Sequence, residues 1–123
     1  MKILIVEDDT MTRKALEHRI TKDGYKVLSA VDGKQAAEII KNEKIDLLLT
    51  DLYMPNLSGL DLINIVRKEL RKNIPIIMLT RVGLEETVLK AFELGADDYM
   101  TKPFNPDELS LRIKRALIKN NVL

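Results

Sequence analysis

The chain has 123 residues, with 20 lysines and arginines against 19 aspartates and glutamates, one histidine and no cysteine. This length predicts a single domain, over residues 1–123, and the near balance of charge gives no general attraction to nucleic acid or to an anionic membrane. Without cysteine there is no disulfide framework, and no apolar stretch approaches the roughly 20 residues that cross a bilayer, so we expect a cytoplasmic protein.

Five short apolar runs alternate along the chain with longer segments of helical periodicity. This alternation is typical of βα units and of a parallel sheet with helices on both faces. The first, third and fourth runs lack polar alternation, which favours central positions, whereas the second and fifth are mixed and favour the edges of the sheet. The predicted strands lie near residues 2–7, 25–30, 45–50, 75–80 and 98–101.

The segments between these runs carry the start and stop signals of helices. Gly24 is placed to cap the end of the first helix in a left-handed conformation, and Ser58 to cap the start of the third. Asn105 followed by Pro106 begins the fifth. The predicted helices span about 10–23, 34–43, 59–71, 84–94 and 106–119. The predicted apolar stripe of the first helix consists of Met11, Ala15, Leu16 and Ile20.

Polar residues follow three of the apolar runs. These residues are Glu7-Asp8-Asp9 after KILIV, Asp51 after IDLLLT, and Lys102-Pro103 after DYMT. Because the carboxyl ends of parallel strands form one edge of a sheet, we expect these groups to converge there. Asp8 and Asp9 have a simpler interpretation as helix caps, but beside Asp51 they would need a cation to offset their repulsion. Magnesium suits such oxygen ligands and keeps coordination places for phosphate oxygens.

Four segments together carry a resemblance to a known family. In chain order they are ILIVEDD, LLLTDLYMPNLSGLDL, PIIMLT and GADDYMTKPF. Their order and spacing resemble the receiver domain of two-component response regulators over essentially the entire chain. The resemblance implies a flavodoxin-like α/β fold, a doubly wound five-stranded parallel sheet in the order 2-1-3-4-5 with five flanking helices. It also implies that Asp51 accepts a phosphoryl group from a phosphohistidine of a histidine kinase or phosphotransfer protein.

The resemblance also implies roles for the residues near Asp51. Asp8 and Asp9 are similar to the metal-binding acids of the family, and the implied Mg²⁺ site is completed by Asp51 and the backbone carbonyl of Tyr53. Lys102 would supply a second positive charge beside the phosphoryl oxygens. The family further implies a cis peptide bond after Lys102, and a Met54-Pro55…Gly59 loop whose backbone is set by its proline and glycine.

Thr80 and Tyr99 resemble the switch pair of the family, in which the hydroxyl bonds a newly arrived phosphoryl oxygen and the aromatic ring turns inward. Arg81 departs from the small residue that is usual after this threonine. We expect it to point to solvent and to influence partner choice, and the alternatives are a partly covered site or an extra phosphate contact. Neither Tyr53 nor Val82 carries a carboxylate or an amide to orient an attacking water, which predicts slow self-dephosphorylation.

A charged surface near the end of the chain resembles the dimer face of receivers that are attached to winged-helix DNA-binding domains. The matching residues are Asp97, Asp98, Glu108, Arg112 and Lys119. Val88 departs from this set, in which a basic residue is typical. The resemblance therefore implies a homodimer through helix 4, strand 5 and helix 5, without direct nucleic acid contact by this domain. The simpler interpretation is that the basic row of the fifth helix only solvates its face.

Two further functions compete with a phosphorylated switch that modifies only itself. The first is a Mg²⁺-dependent phosphatase with an aspartyl nucleophile; such enzymes commonly place another aspartate two residues after the nucleophile, where this chain has Tyr53. The second is an interaction module without phosphorylation, which the retained acids and Lys102 oppose and Arg81 favours. The sequence leaves open the cognate kinase, the output and the presence of an effector domain.

Overall fold

Five short parallel strands form the centre of the protein in this computed structural model, which describes residues 1–54 and 56–120. The strands are β1 (Lys2–Val6), β2 (Lys26–Ala30), β3 (Leu47–Asp51), β4 (Ile76–Arg81) and β5 (Asp98–Lys102). They form one sheet in the order β2-β1-β3-β4-β5. The predicted order is therefore confirmed, with β2 and β5 at the edges. Pro55, in the predicted loop after Asp51, lies outside the described residues.

Five helices flank the sheet, close to their predicted positions. They are α1 (Thr10–Lys22), α2 (Gly33–Asn42), α3 (Gly59–Asn64), α4 (Glu85–Leu94) and α5 (Pro106–Lys119). Local cap signals are confirmed: Gly24 has a φ of 96°, and the side chains of Ser58 and Asn105 accept hydrogen bonds from the first turns of α3 and α5. None of the described helices combines the length and the apolarity that a bilayer crossing needs.

The third predicted helix is not uniform, which corrects the continuous helix expected over residues 59–71. After Asn64 the chain continues as a π-helical segment, Ile65–Glu69, and the Leu70 amide donates to the Ile65 carbonyl at 2.8 Å. The segment carries Arg67, whose guanidinium bonds acceptors outside the π-helical segment. It donates to the carbonyls of Gly95, Lys72 and Ile74 and to the carboxylate of Asp97. The hydrophobic pattern of the sequence contains no sign of these long-range bonds.

Alternate residues of the central strands pack on opposite faces of the sheet, as the pleat requires. Ile3, Ile5, Leu47, Leu49, Ile77 and Leu79 belong to one buried cluster, together with residues of α1 and α5. Leu4, Val6, Leu48, Ile76 and Met78 belong to the other, together with residues of α2, α3 and α4. Residues two apart on a strand share a face. The face of the residue that follows a strand is therefore the face of the residue two positions before it.

The buried stripe of α1 is narrower than predicted. Leu16 and Ile20 are fully buried against the sheet, as expected. Met11 is 83% exposed and Ala15 is also exposed, so the prediction that these two residues are core is wrong. Both lie towards the start of the helix, where they line a surface cavity of about 240 Å³ beside Lys102 and Phe104 instead of packing on the strands.

Candidate functional site

Asp51 is the last residue of β3, and its side chain lies at the carboxyl edge of the sheet. The residue is only 8% exposed. The loop that follows returns close to it, because the Gly59 amide donates to the Leu52 carbonyl at 2.9 Å. A Cβ atom at position 59 would overlap with the carbonyl oxygen of Asp51, so only glycine permits this approach. The strand end and the loop together hold one carboxylate at the rim.

Lys102, the last residue of β5, reaches Asp51 across the edge of the sheet. Its Nζ lies 2.8 Å from Oδ2 of Asp51 and 2.5 Å from Oε1 of Glu7. Burial lowers the pKa of Lys102, but the hydrogen bonds to Asp51 and Glu7 outweigh burial, so the pKa is raised overall. The lysine therefore stays protonated between two carboxylates. The peptide bond that follows it, to Pro103, is cis as predicted.

Glu7 is among the residues expected to converge at this edge, but it is not predicted from the sequence as a metal ligand. It is fully buried, and burial raises the pKa of its carboxyl group in spite of the contact with Lys102. The Asp9 amide donates to its Oε2 at 3.2 Å. A signal for Glu7 was present in the sequence, because it lies two residues after Ile5 and so extends the face of β1 to which Asp51 belongs on β3.

Asp9, which is predicted as a metal ligand, lies outside this acidic cluster among the described residues. Its Oδ2 accepts hydrogen bonds from the Thr12 backbone amide at 2.9 Å and from the Thr12 hydroxyl at 2.7 Å. These bonds cap the start of α1 and lower the pKa of Asp9. The simpler interpretation of an aspartate at a strand-to-helix turn, a helix cap, is therefore the right one for Asp9.

Glu7, Asp8 and Asp51 form a cluster that could bind a metal ion. Each offers one carboxylate oxygen, and the three oxygens lie within 4.8 Å of one another. Three carboxylates are a hard donor set that fits Mg²⁺ better than a soft metal. With only Lys102 paired to two of them, the cluster keeps excess negative charge that a divalent cation would offset. Asp8 and Asp51 of the predicted ligand set are thus brought together, with Glu7 in place of Asp9.

The two predicted switch residues lie on neighbouring strands beside the site. Thr80 is 2% exposed and its hydroxyl donates to the Arg81 carbonyl at 3.3 Å. Tyr99 is 40% exposed and meets the ring of Phe92 edge to face, with the ring centroids 6.0 Å apart. Thr80 and Tyr99 both line a cavity of about 270 Å³ between β4, β5 and α4. The cavity provides space next to the tyrosine ring.

The residues predicted to modulate the site lie at its rim. Arg81 is exposed, and Val82 is 77% exposed. Tyr53 is 50% exposed, and its backbone amide lies 3.4 Å from Oδ1 of Asp51. Positions 53 and 82 therefore present neither a carboxylate nor an amide side chain at this rim.

Part of the predicted dimer face is engaged within the chain. Arg67 donates to Asp97 at 3.0 Å. Asp98 is only 8% exposed and accepts hydrogen bonds from Arg112 at 2.7 Å and from Arg115 at 2.8 Å. The bond to Asp98 raises the pKa of Arg112. Both aspartates thus have partners without a second copy of the chain.

Fold and site define a flavodoxin-like α/β domain whose carboxyl edge holds an acidic, lysine-paired pocket. The family model of the response regulator receiver domain matches residues 3–114. The probable transcriptional regulator ycf27 of Porphyridium aerugineum is 44% identical over 116 residues, which cover 94% of this chain and 48% of that protein. The phosphate regulon transcriptional regulatory protein PhoB of Pseudomonas aeruginosa is 43% identical, with 94% of this chain and 51% of that protein covered.

Solved structures agree with these sequence matches. A CheY-like response regulator receiver domain protein from Methanospirillum hungatei has a TM-score of 0.92 at 32% identity, covering 98% of this chain and 95% of that chain. The chain belongs to the response regulator receiver domain family of two-component signalling. It spans about half the length of the curated relatives that it matches.

Proposed function

We propose that this domain is a phosphorylation-dependent switch, in which Asp51 accepts a phosphoryl group from a phosphohistidine of a histidine kinase or phosphotransfer protein. The observation that carries the proposal is the placement of Asp51. Its carboxylate lies at the carboxyl edge of the sheet, 2.8 Å from the Nζ of Lys102 and within a cluster with Glu7 and Asp8. The reaction is a self-modification, since the acceptor is a residue of the domain and no metabolite is turned over.

In the proposed transfer, an oxygen of Asp51 forms a bond to phosphorus while the phosphorus–nitrogen bond of the phosphohistidine breaks. The electron pair of that bond stays on the imidazole nitrogen. The leaving group is the histidine of the kinase or phosphotransfer protein. A carboxylate is a weak nucleophile, so the rate depends on alignment and on neutralised charge. Lys102 supplies fixed positive charge next to the Asp51 oxygen, and its raised pKa keeps that charge in place.

Glu7, Asp8, Asp51 and the backbone carbonyl of Tyr53 are the groups that we propose to hold Mg²⁺. When bound, the ion supplies positive charge to oxygens that repel one another and to the phosphoryl oxygens. Glu7 keeps Lys102 between two carboxylates, which fixes the lysine at the rim. These residues would therefore hold Mg²⁺ and Lys102, the two positive charges of the site, next to the attacking oxygen of Asp51.

The readout is proposed to pass through Thr80 and Tyr99. A hydrogen bond from the Thr80 hydroxyl to a phosphoryl oxygen would replace its 3.3 Å bond to the Arg81 carbonyl. The cavity of about 270 Å³ that both residues line would then receive the Tyr99 ring. This change would alter the surface of α4, β5 and α5, which couples a local charge to a packing change.

We expect the phosphorylated domain to lose its phosphoryl group slowly, over minutes or longer. Hydrolysis of the acyl phosphate needs an oriented water, and the side chains of Tyr53 and Val82 at the rim offer neither a carboxylate nor an amide to hold one. Intact mass can be followed after removal of the phosphodonor under native conditions. Loss of the phosphoryl group within seconds would contradict the expectation, and Val82→Gln should accelerate the loss.

The proposed partner after phosphorylation is a second copy of the chain, bound through α4, β5 and α5. The face also carries exposed apolar side chains: Leu89 is 61% exposed and Leu111 is 72% exposed. Dimer contacts by Asp98 would have to replace its bonds to Arg112 and Arg115. Size-exclusion chromatography should show phosphorylation-dependent growth in apparent mass. Phosphorylation without such growth would exclude the dimer and leave the switch intact.

The proposal treats residues 1–123 as one cytoplasmic receiver domain that makes no direct contact with nucleic acid or membrane. A phosphatase with an aspartyl nucleophile fits the site less well, because Tyr53 stands where such enzymes commonly carry a second aspartate. An interaction module without phosphorylation is favoured only by Arg81, whereas the acidic cluster and its pairing with Lys102 oppose it.

The test of the proposed function is incubation with acetyl phosphate and Mg²⁺, followed by intact mass spectrometry. We expect a gain equal to one phosphoryl group, and the same gain from a phosphorylated histidine phosphotransfer protein. A chain that gains no mass from either donor does not have the proposed function.

A further inference from the structure

The last residue of β4, Arg81, lies on the same face of the sheet as the phosphoacceptor, two residues beyond the register partner of Asp51. In the parallel sheet Asp51 is paired with Leu79, and Arg81 is paired with Lys102. Residues paired on neighbouring parallel strands project from the same face, and so do residues two apart on one strand. Asp51, Arg81 and Lys102 therefore leave three adjacent strands on one face of the sheet, at its carboxyl edge.

The side chain of Arg81 is available for a ligand. It is exposed, and within residues 1–54 and 56–120 it makes no hydrogen bond or ion pair. Other arginines of the protein are committed: Arg67 donates to three carbonyls and a carboxylate, and Arg112 pairs with Asp98. Arg81 also lines the cavity that Thr80 shares.

The site that Arg81 borders is negative before any phosphodonor arrives. Glu7, Asp8 and Asp51 offer three carboxylates within 4.8 Å, and Lys102 pairs with two of them. Lys102 and a bound Mg²⁺ would together offset the three carboxylates, which leaves no excess positive charge for the phosphoryl group of an incoming donor. A guanidinium at the rim supplies such charge and can form two parallel hydrogen bonds to phosphate oxygens, which a small side chain cannot do.

We propose that Arg81 binds the phosphoryl oxygens of the donor and favours dianionic donors, an inference that rests on the proposed function of Asp51. With acetyl phosphate, a bond forms between an Asp51 oxygen and phosphorus, the bond between phosphorus and the acetyl oxygen breaks, and acetate leaves with the electron pair. Arg81 keeps its protons throughout and contacts only the phosphoryl oxygens. It is thus a donor-binding residue, while Lys102 stays with Asp51.

The test compares the rate of Asp51 phosphorylation by acetyl phosphate in wild type, Arg81→Gln, Arg81→Lys and a matched control, Lys41→Gln. Lys41 is an exposed cation in the last turn of α2, so its loss changes the net charge equally. We expect Arg81→Gln to lower the rate at subsaturating donor by roughly fivefold, as for a solvent-screened ion contact, and Arg81→Lys to retain part of the rate. Lys41→Gln should match wild type.

Three readouts separate donor binding from a structural role. The loss in Arg81→Gln should appear in the half-saturating donor concentration and not in the maximal rate, and it should shrink at high ionic strength. The thermal midpoints of all variants should agree. Equal rates for Arg81→Gln and wild type would overturn the inference, and so would a faster Arg81→Gln, which would mean that Arg81 covers the site. Wild type that gains no mass would instead overturn the proposed function.

Discussion

Asp51→Asn is expected to abolish phosphorylation of the domain. The amide has nearly the same shape as the carboxylate but lacks the charged oxygen that forms the bond to phosphorus. Intact mass after incubation with acetyl phosphate and Mg²⁺ should show the full gain of one phosphoryl group in wild type and none in the variant. We expect the mass gain to be lost completely, because no other residue replaces the acceptor in the proposed reaction.

The control for this experiment is Asp107→Asn, the same chemical change at an exposed position in the first turn of α5. It should gain mass like wild type. The thermal midpoint of each variant shows whether the fold is retained. Mass gain in Asp51→Asn equal to that of wild type would place the modification on another residue and would end the role proposed for Asp51.

Glu7→Gln is expected to weaken Mg²⁺ binding by about tenfold or more, whereas Asp9→Asn should leave it near wild type. Glu7 offers an oxygen to the acidic cluster, and an amide in its place removes one negative charge from the donor set. The Asp9 side chain instead accepts from Thr12 as a helix cap, and asparagine caps equally well. Isothermal titration of Mg²⁺ into the two variants and wild type measures the affinities.

The pair of variants decides between the two ligand sets. Each substitution removes one carboxylate charge from adjacent parts of the same turn, so a long-range charge effect would act on both alike. Weaker binding in Asp9→Asn with normal binding in Glu7→Gln would restore the ligand set predicted from the sequence. Equal losses in both variants would show that the charge of the turn matters more than the ligand positions.

Local patterns were sufficient to predict the elements of the fold. The runs ILIV, LLL and IIML have no polar alternation, which is what strands buried on both faces require, and these strands are indeed central. Caps at Ser58 and Asn105 are interactions between residues two or three apart, so their signals are contained in a short window. Where the determining contacts are local, the predictions hold.

Predictions that depend on the direction of a single side chain were less accurate. The sequence EDD has three acids in a row, and the resemblance implies Asp8 and Asp9 as ligands, whereas the structure places Glu7 and Asp8 in the cluster and Asp9 at the start of α1, which it caps. The predicted apolar stripe of α1 similarly extends too far towards the start of the helix, to Met11, which is exposed. Asp9 and Met11 both lie at the start of α1, where the chain passes from one element to the next and periodicity alone does not fix the direction of a side chain.

The amino-acid sequence is enough to predict that the chain forms a parallel α/β sheet with acids and a lysine at its strand ends. Those features follow from periodicity and from local turn chemistry. The tertiary structure alone decided that Glu7 and Asp51 share Lys102, that Arg67 ties a π-helical turn to Asp97, and that Arg81 is left available at the rim. These contacts join residues far apart in the chain, and their geometry exists only when the strands are in register.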